Sequence, residues 1–172
     1  MRGRTWLVLV RQIAAIVALP FTVTVLVPLW IARDRRVTFS APQSWGGWLA
    51  AAFGTVLLAA GVWLFVTTVG LFWTRGRGTL APWDPPRMFV ADGPYRYVRN
   101  PMISGVVFIL IAEALIVASR PLGEWSALFF AINLVYIPLI EQPMLEARFG
   151  DSYRDYTRHV RMFIPRLTPW QQ

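Results

Sequence analysis

The sequence predicts an all-α, polytopic membrane protein with about four transmembrane helices and a C-terminal amphipathic interfacial helix. Three observations lead to this prediction. Hydrophobic residues make up 56% of the chain, and the mean hydropathy is +0.47. The apolar residues are gathered in long blocks almost free of charge, as transmembrane helices require. The arginines fall mainly between those blocks, where membrane proteins place basic residues.

Four apolar blocks predict transmembrane helices at about residues 6–32, 46–73, 101–119 and 125–140. The second block has no charged residue and is long enough to cross a bilayer with some tilt. The fourth is short, about 24 Å at a rise of about 1.5 Å per residue. The first is long and lacks a cleavage signal, so we expect a retained helix rather than a signal peptide. The sequence shows no internal repeat and no low-complexity linker, so residues 1–172 are predicted to form a single domain.

The arginines also predict the orientation of these helices. Four spans place both termini and the loop of residues 74–100 on one side of the membrane. Outside the spans, that side carries twelve arginines and the opposite side carries four. Because basic residues concentrate in cytoplasmic loops, we expect both termini to be cytoplasmic, in an integral protein of a prokaryotic inner membrane.

The composition limits the chemistry that this protein can perform. The chain has no cysteine and only one histidine, His159, which argues against a disulfide, a thiolate nucleophile or a metal centre. The net charge of +8 lies beside the apolar spans, where arginines set topology and contact lipid headgroups. We therefore expect no nucleic-acid partner and no metal. The sequence does not predict the oligomeric state.

The loop of residues 74–100 ends in a polar cluster at the start of the third span. Residues 76–86 are rich in glycine and proline and predict an extended chain, and residues 92–94 predict a turn. Asn100 suits an N-cap and Pro101 suits the first turn of a helix. The free N–H groups of that turn could bind an anionic group. The polar cluster also contains Tyr95, Arg96, Tyr97 and Arg99. The alternative is that these tyrosines and arginines only anchor the chain at the membrane interface.

A second polar cluster begins at Glu141, directly after the fourth span. Ionisable groups at such positions are candidates for function, although an ion pair with an arginine is the alternative for Glu141. A further helix is predicted over about residues 143–158. Its apolar face repeats at three- and four-residue spacing: Leu145, Phe149, Tyr153 and Tyr156. This helix could dock on the bundle or lie at the membrane interface.

Glu113 lies in the middle of the third span, where an ionised carboxylate costs roughly 3 kcal/mol. We expect a polar contact between helices there rather than a catalytic role. The candidate partners are Arg11, Asn133 and Tyr136.

The two clusters carry motifs that resemble a known superfamily. The matching residues are Gly93-Pro-Tyr-Arg-Tyr-Val-Arg-Asn-Pro-Met102, Glu141-Gln-Pro-Met-Leu145, Arg148-Phe-Gly150, Tyr153, Tyr156 and Ile164-Pro-Arg166. In this order and spacing they resemble the isoprenylcysteine carboxyl methyltransferase and phospholipid methyltransferase superfamily, over roughly residues 75–167. Its members are small integral-membrane enzymes that use S-adenosylmethionine.

The resemblance implies a site for S-adenosylmethionine. The implied cofactor-binding residues are Arg87, Met88, Phe89, Val90, Tyr95, Asn100, Pro101, Met102, Ile103 and Glu141. Candidates for a catalytic role, none of them assigned, are Glu141, Arg99 and Asn100. A carboxylate such as Glu141 can hold the cofactor's ammonium group, and the ring of Tyr95 can face its sulfonium. The N–H groups at the start of the third span can take its carboxylate.

Four positions depart from the family pattern. The family usually has histidine at Asn100, often tyrosine at Ile103, and commonly a second glutamate at Gln142. Asparagine cannot titrate near neutral pH, so proton transfer by a histidine at that position is excluded here. The isoprenylcysteine enzymes also have an arginine where this chain has Ile137, which counts against a prenylcysteine substrate.

We therefore expect an integral-membrane methyltransferase that binds its cofactor from the cytoplasm. Its acceptor would be a lipid or other lipophilic molecule with a carboxyl, amine or thiol group. Two alternatives remain open. One is an NADPH-dependent membrane reductase of a sterol-like or enone substrate, a group that resembles this superfamily near the Asn-Pro helix entry. The other is a non-catalytic membrane scaffold with a decayed site.

Overall fold

The computed structural model describes residues 17–38, 40–76 and 89–171, and every regular element within them is helical. The prediction of an all-α fold is therefore confirmed for these residues. The α-helices are α1 (Val27–Asp34), α2 (Trp45–Leu71), α3 (Pro101–Ile116), α4 (Arg120–Tyr136), α5 (Gln142–Phe149) and α6 (Asp151–His159). Wider π-helical turns occupy Val17–Leu26, Phe72–Gly76 and Ile137–Glu141, and a 3-10 turn covers Gly93–Arg96.

Two helical stretches in the described residues are long and apolar enough to cross a membrane, fewer than the four predicted. They are α2, with 27 residues, and the continuous helix Arg120–Phe149, with 30. The apolar helix α3 has only 16 residues. It stops short of the predicted residue 119 because Ala118 takes a positive φ of 53° and turns the chain toward α4. Much of the first predicted span lies outside the described residues.

Small residues bring α2 and α3 into close contact. Gly54, Gly61 and Thr68 recur every seven residues on α2 and are buried, and Gly105 is buried on α3. A Cβ on Gly61 would lie 2.7 Å from the carbonyl oxygen of Gly105, and a Cβ on Gly105 would lie 2.9 Å from that of Gly61. Membrane helices associate through such small residues because they let the backbones approach. The backbone of α2 therefore positions α3.

A proline explains how α4 is tied to the N-terminal helical segment. Within the π-helical Val17–Leu26, the Val23 carbonyl would accept a hydrogen bond from the residue five positions later. That residue is Pro28, which has no N–H. The indole Nε1 of Trp125 on α4 donates to this carbonyl instead, at 3.1 Å.

The helix predicted over residues 143–158 is divided differently. There is no break before it, because α4 continues through Glu141 into α5 as one helix. The interruption comes at Gly150, whose φ of 58° and ψ of −132° lie in a region essentially restricted to glycine. The predicted single helix is therefore two helices, α5 and α6.

The apolar face of α6 packs inside the protein. Tyr153 and Tyr156 are buried with Val160 and Trp170, and the ring of Phe89 packs against both tyrosines. Of the two alternatives for this amphipathic face, docking on the protein is the one observed. The interfacial position of this helix stays a prediction.

The last residues of the chain pair with the segment that leads into α3. We call residues 160–170 the C-terminal strap. Four backbone hydrogen bonds of 2.9–3.3 Å join it to residues 96–100: Arg99 N to Arg161 O, Asn100 N to Met162 O, Arg166 N to Tyr97 O and Trp170 N to Arg96 O. The strap thus holds the entry to α3 in place.

Candidate functional site

The fold brings the two polar clusters of the sequence together. The Glu141 carboxylate, near the end of the long helix, acts electrostatically on the hydroxyls of Tyr95 and Tyr153. Arg99, just before α3, acts on Tyr153 with the opposite sign. Residues from the loop, from the long helix and from α6 therefore share one site at the N-terminal end of α3.

Tyr95 is held in the protein by its surroundings. Its carbonyl oxygen accepts a 2.7 Å hydrogen bond from the Tyr156 hydroxyl, and the ring of Phe72 meets its ring edge-on at 5.7 Å. Burial above all, together with Tyr156 and Glu141, holds the pKa of Tyr95 well above its usual range. The Tyr95 hydroxyl therefore keeps its proton at neutral pH.

Arg99 supplies the positive charge of the site. Its Nε atom is buried and has no hydrogen-bond partner among the described residues. Burial raises the pKa of Tyr153, the Arg99 guanidinium lowers it, and the Glu141 carboxylate raises it again. The Tyr153 hydroxyl thus lies under the influence of a cation and an anion. In the described part of the chain, no ion pair joins Arg99 to Glu141.

Asn100 precedes α3 as predicted, but its side chain does not cap the helix. The amide Nδ2 donates instead to the Met162 carbonyl of the strap, at 3.3 Å. Pro101 occupies the first turn and is buried. Met102 and Ile103 follow it, and the N–H groups of this turn have no acceptor within the helix. The start of α3 therefore offers backbone donors beside Arg99.

Comparison with known proteins identifies the family. A family model described as phospholipid methyltransferase matches residues 49–152. The chain belongs to the phospholipid methyltransferase family. This confirms the resemblance recognised in the motifs. The match runs from α2 into α6 and includes Tyr95, Arg99, Asn100 and Glu141.

Two curated methyltransferases share part of the sequence. Phosphatidylethanolamine N-methyltransferase 1 of Vanderwaltozyma polyspora is 29% identical over 107 residues, 59% of this chain and 13% of that protein. Methanethiol S-methyltransferase of Mycobacterium tuberculosis is 36% identical over 77 residues, 45% of this chain and 30% of that protein. The chain thus spans less than a third of the length of either relative. No solved structure matches it closely enough to count as similar.

The residues predicted to bind the cofactor lie in several parts of the structure. Arg87 and Met88 lie outside the described residues. Phe89 packs against the rings of Phe149, Tyr153 and Tyr156, and Val90 is buried. Tyr95 lies in the turn before α3, residues 100–103 lie at the start of α3, and Glu141 acts electrostatically on Tyr95 and Tyr153. Their roles in binding stay predictions.

Sequence reasoning left Tyr153 and Met162 out of the site. Tyr153 stands in the motif that carries the resemblance, which is the signal that could have identified it. Met162 acts through its backbone carbonyl, so its residue type carries no such signal.

Glu113 lies apart from this site. Its Oε2 atom is buried and unpartnered within the described residues. Of the proposed partners, Arg11 lies outside those residues, and Asn133 donates to the Phe129 carbonyl of its own helix.

Proposed function

We propose that this protein is an integral-membrane methyltransferase that transfers a methyl group from S-adenosylmethionine to a lipophilic acceptor. The observation that carries the proposal is that the Arg99 guanidinium and the Glu141 carboxylate both act on Tyr153, while the Nε atom of Arg99 is buried without a partner among the described residues. Two opposite charges share a site without neutralising each other, so the site suits a zwitterion. The amino-acid end of S-adenosylmethionine is a zwitterion with one ammonium and one carboxylate group.

The residues fit this cofactor group by group. Glu141 would hold the ammonium. The orphaned Nε of Arg99 and the N–H groups at the start of α3 would hold the carboxylate. Tyr95, on the adjoining loop, would present its ring to the positive sulfur. When bound, S-adenosylmethionine supplies a methyl group on a positively charged sulfur; a lone pair of the acceptor takes the methyl group, and the sulfur leaves as a neutral thioether.

The site favours an acceptor that needs little help with a proton. Tyr95 stays protonated because its pKa is raised, and Asn100 cannot titrate. Glu141 is committed to the cofactor's ammonium in this proposal. An anionic acceptor, or an amine that loses its proton to water, requires no base from the protein. The two relatives act on acceptors as different as phosphatidylethanolamine and methanethiol, so they leave the acceptor class open.

We also propose the four-span topology in one domain, with both termini in the cytoplasm of a bacterial cell. Trp30, Trp45 and Trp48 are exposed near the loop between α1 and α2. Exposed tryptophans of this kind form belts at membrane interfaces. The polar site lies at the other end of α2 and α3. Membership of the methyltransferase family weighs against the reductase and scaffold alternatives.

Titration calorimetry on detergent-purified protein tests the cofactor site. S-adenosylhomocysteine should bind the wild-type protein, and Glu141→Gln should weaken binding about thirtyfold, the loss of one charged hydrogen bond worth about 2 kcal/mol. Glu124→Gln is the matched control, because Glu124 lies on the same helix with 63% of its side chain exposed. Equal affinities for the two variants would refute the assignment of Glu141.

A further inference from the structure

The loop before α3 borders two different spaces. Tyr95 belongs to the polar cluster with Glu141. Its neighbours Arg96 and Tyr97 instead line a cavity of about 630 Å³ between α2, α3 and the C-terminal strap. Adjacent residues of this loop therefore border the candidate cofactor site on one side and this second space on the other.

The walls of the cavity are almost entirely apolar. Trp63 and Thr67 come from α2, Phe108 from α3 and Phe163 from the strap. Trp63 is 62% exposed on a helix long and apolar enough to cross a membrane, so in the proposed topology this side of the cavity faces the hydrocarbon of the bilayer. The volume lies within the range of about 300–1,000 Å³ that is usual for small-molecule sites. A hydrocarbon chain can reach the cavity from the membrane without crossing water.

Arg96 gives the cavity one charged end. Its Nε donates to the Trp170 carbonyl of the strap at 2.6 Å, which orients the guanidinium. Among the described residues this is the only hydrogen bond of that group. Nearby, the Ser104 hydroxyl lines the cavity and donates to the carbonyl oxygen of Asn100 at 2.9 Å. The charged end therefore lies toward the start of α3, where the cofactor site is.

We propose that this cavity holds a single hydrocarbon chain of the methyl acceptor, with an anionic group of the acceptor at Arg96. The inference rests on the proposed function, because it assigns the second substrate of the same site. An acceptor held in this way is a lipid with a phosphate or carboxylate near its reactive atom. A one-carbon thiol would leave both the cavity and Arg96 unused.

Photo-crosslinking tests the site directly, with a lysophosphatidylethanolamine that carries a diazirine in the middle of its acyl chain. In detergent-purified protein, adducts should concentrate on peptides that contain Trp63, Phe108 and Phe163. Thr67→Phe fills the cavity and should reduce this labelling about tenfold. Thr55→Phe makes the same change on an exposed position of the same helix and should leave labelling unchanged. Equal labelling of the two variants, or adducts spread along the lipid-facing sides of α2 and α4, would overturn the proposal.

Competition distinguishes the lipid from its headgroup alone. An unlabelled long-chain alkyl phosphate should compete in the wild-type protein, and the matching alcohol should compete about tenfold less well. Arg96→Gln should remove this difference, while Arg120→Gln, at an exposed arginine, should keep it. Full competition by inorganic phosphate would mean that the site takes free phosphate, against the proposal.

Cofactor binding separates the two hypotheses. S-adenosylhomocysteine should bind Thr67→Phe with wild-type affinity, because Thr67 lies outside the cofactor cluster. If wild-type protein fails to bind it, the proposed function fails whatever the labelling pattern. If it binds and the lipid probe ignores the cavity, only the acceptor site is refuted.

Discussion

Adding one methyl group at Gly61 should weaken the contact between α2 and α3. The Cβ of an alanine there would lie 2.7 Å from the Gly105 carbonyl oxygen and 2.9 Å from Cγ1 of Ile109. Ordinary contact for a Cβ begins at 3.4 Å, so the helices must part by about 0.7 Å, the difference between 3.4 and 2.7 Å. Overpacking of this kind costs about 1–3 kcal/mol.

Gly70 provides a matched control on the same helix. A Cβ at Gly70 has nothing within 4 Å, so alanine there meets no neighbour. Alanine favours a helix over glycine by about 1 kcal/mol. Because Gly61→Ala and Gly70→Ala receive the same propensity gain, the difference in stability between them isolates the packing cost.

Thermal unfolding in detergent, followed by circular dichroism, measures this difference. For a chain of this size about 1 kcal/mol shifts Tm by about 2–4 °C, so Gly61→Ala should melt roughly 2–12 °C below Gly70→Ala. Displacing α3 should also weaken binding of S-adenosylhomocysteine, because α3 begins at the site. Equal melting temperatures for the two variants would refute the close-packing argument.

Three further predictions follow from other contacts. Trp125→Phe loses the indole hydrogen bond to the N-terminal segment and should cost about 1 kcal/mol in thermal unfolding. Trp48→Phe, at an exposed position, should cost little. Burial raises the pKa of Tyr156 in the folded protein. Above about pH 10 the Tyr156 hydroxyl therefore ionises in the unfolded chain but not in the folded one. The contribution of Tyr156 to the free energy of unfolding is thus complete below about pH 10 and is lost as the pH rises further. Denaturation at increasing pH should show a shallower decline for Tyr156→Phe; an identical decline would contradict a buried, neutral hydroxyl. The chain has no cysteine, so a single introduced cysteine reports its side of the membrane. Ser152→Cys should react with an impermeant maleimide only from the cytoplasmic side of bacterial membranes, and Ser44→Cys only from the opposite side. Labelling of both variants from the same side would exclude the four-span topology.

Local composition predicted much of the helical structure. The second predicted span, 46–73, agrees closely with α2, and the start of the third span at Pro101 is observed. Both follow from apolarity and helix-entry chemistry, which depend on neighbouring residues. The fourth span is predicted to end at residue 140 and a further helix to begin at about residue 143, but a π-helical turn carries one helix through Glu141. Gly150 ends it instead, by a backbone conformation that composition does not reveal.

The site was predicted only in part for the same reason. Both polar clusters could be recognised because their motifs are local. The contacts between them join residues far apart in sequence: Tyr156 bonds to Tyr95 across 61 residues, and Asn100 bonds to Met162 across 62. Periodicity carries no information about such pairs, so the amide of Asn100 was expected to cap its helix.

The sequence by itself determined the helical class, the apolar segments and the family, because each depends on residue type and short-range spacing. Only the tertiary structure decided that the Arg99 guanidinium and the Glu141 carboxylate both act electrostatically on the Tyr153 hydroxyl. It also decided that the aromatic face of α6 is buried and that α2, α3 and the strap line an open, mostly apolar cavity. Such features arise where separate helices pack, and packing depends on the shapes of surfaces that are distant along the chain.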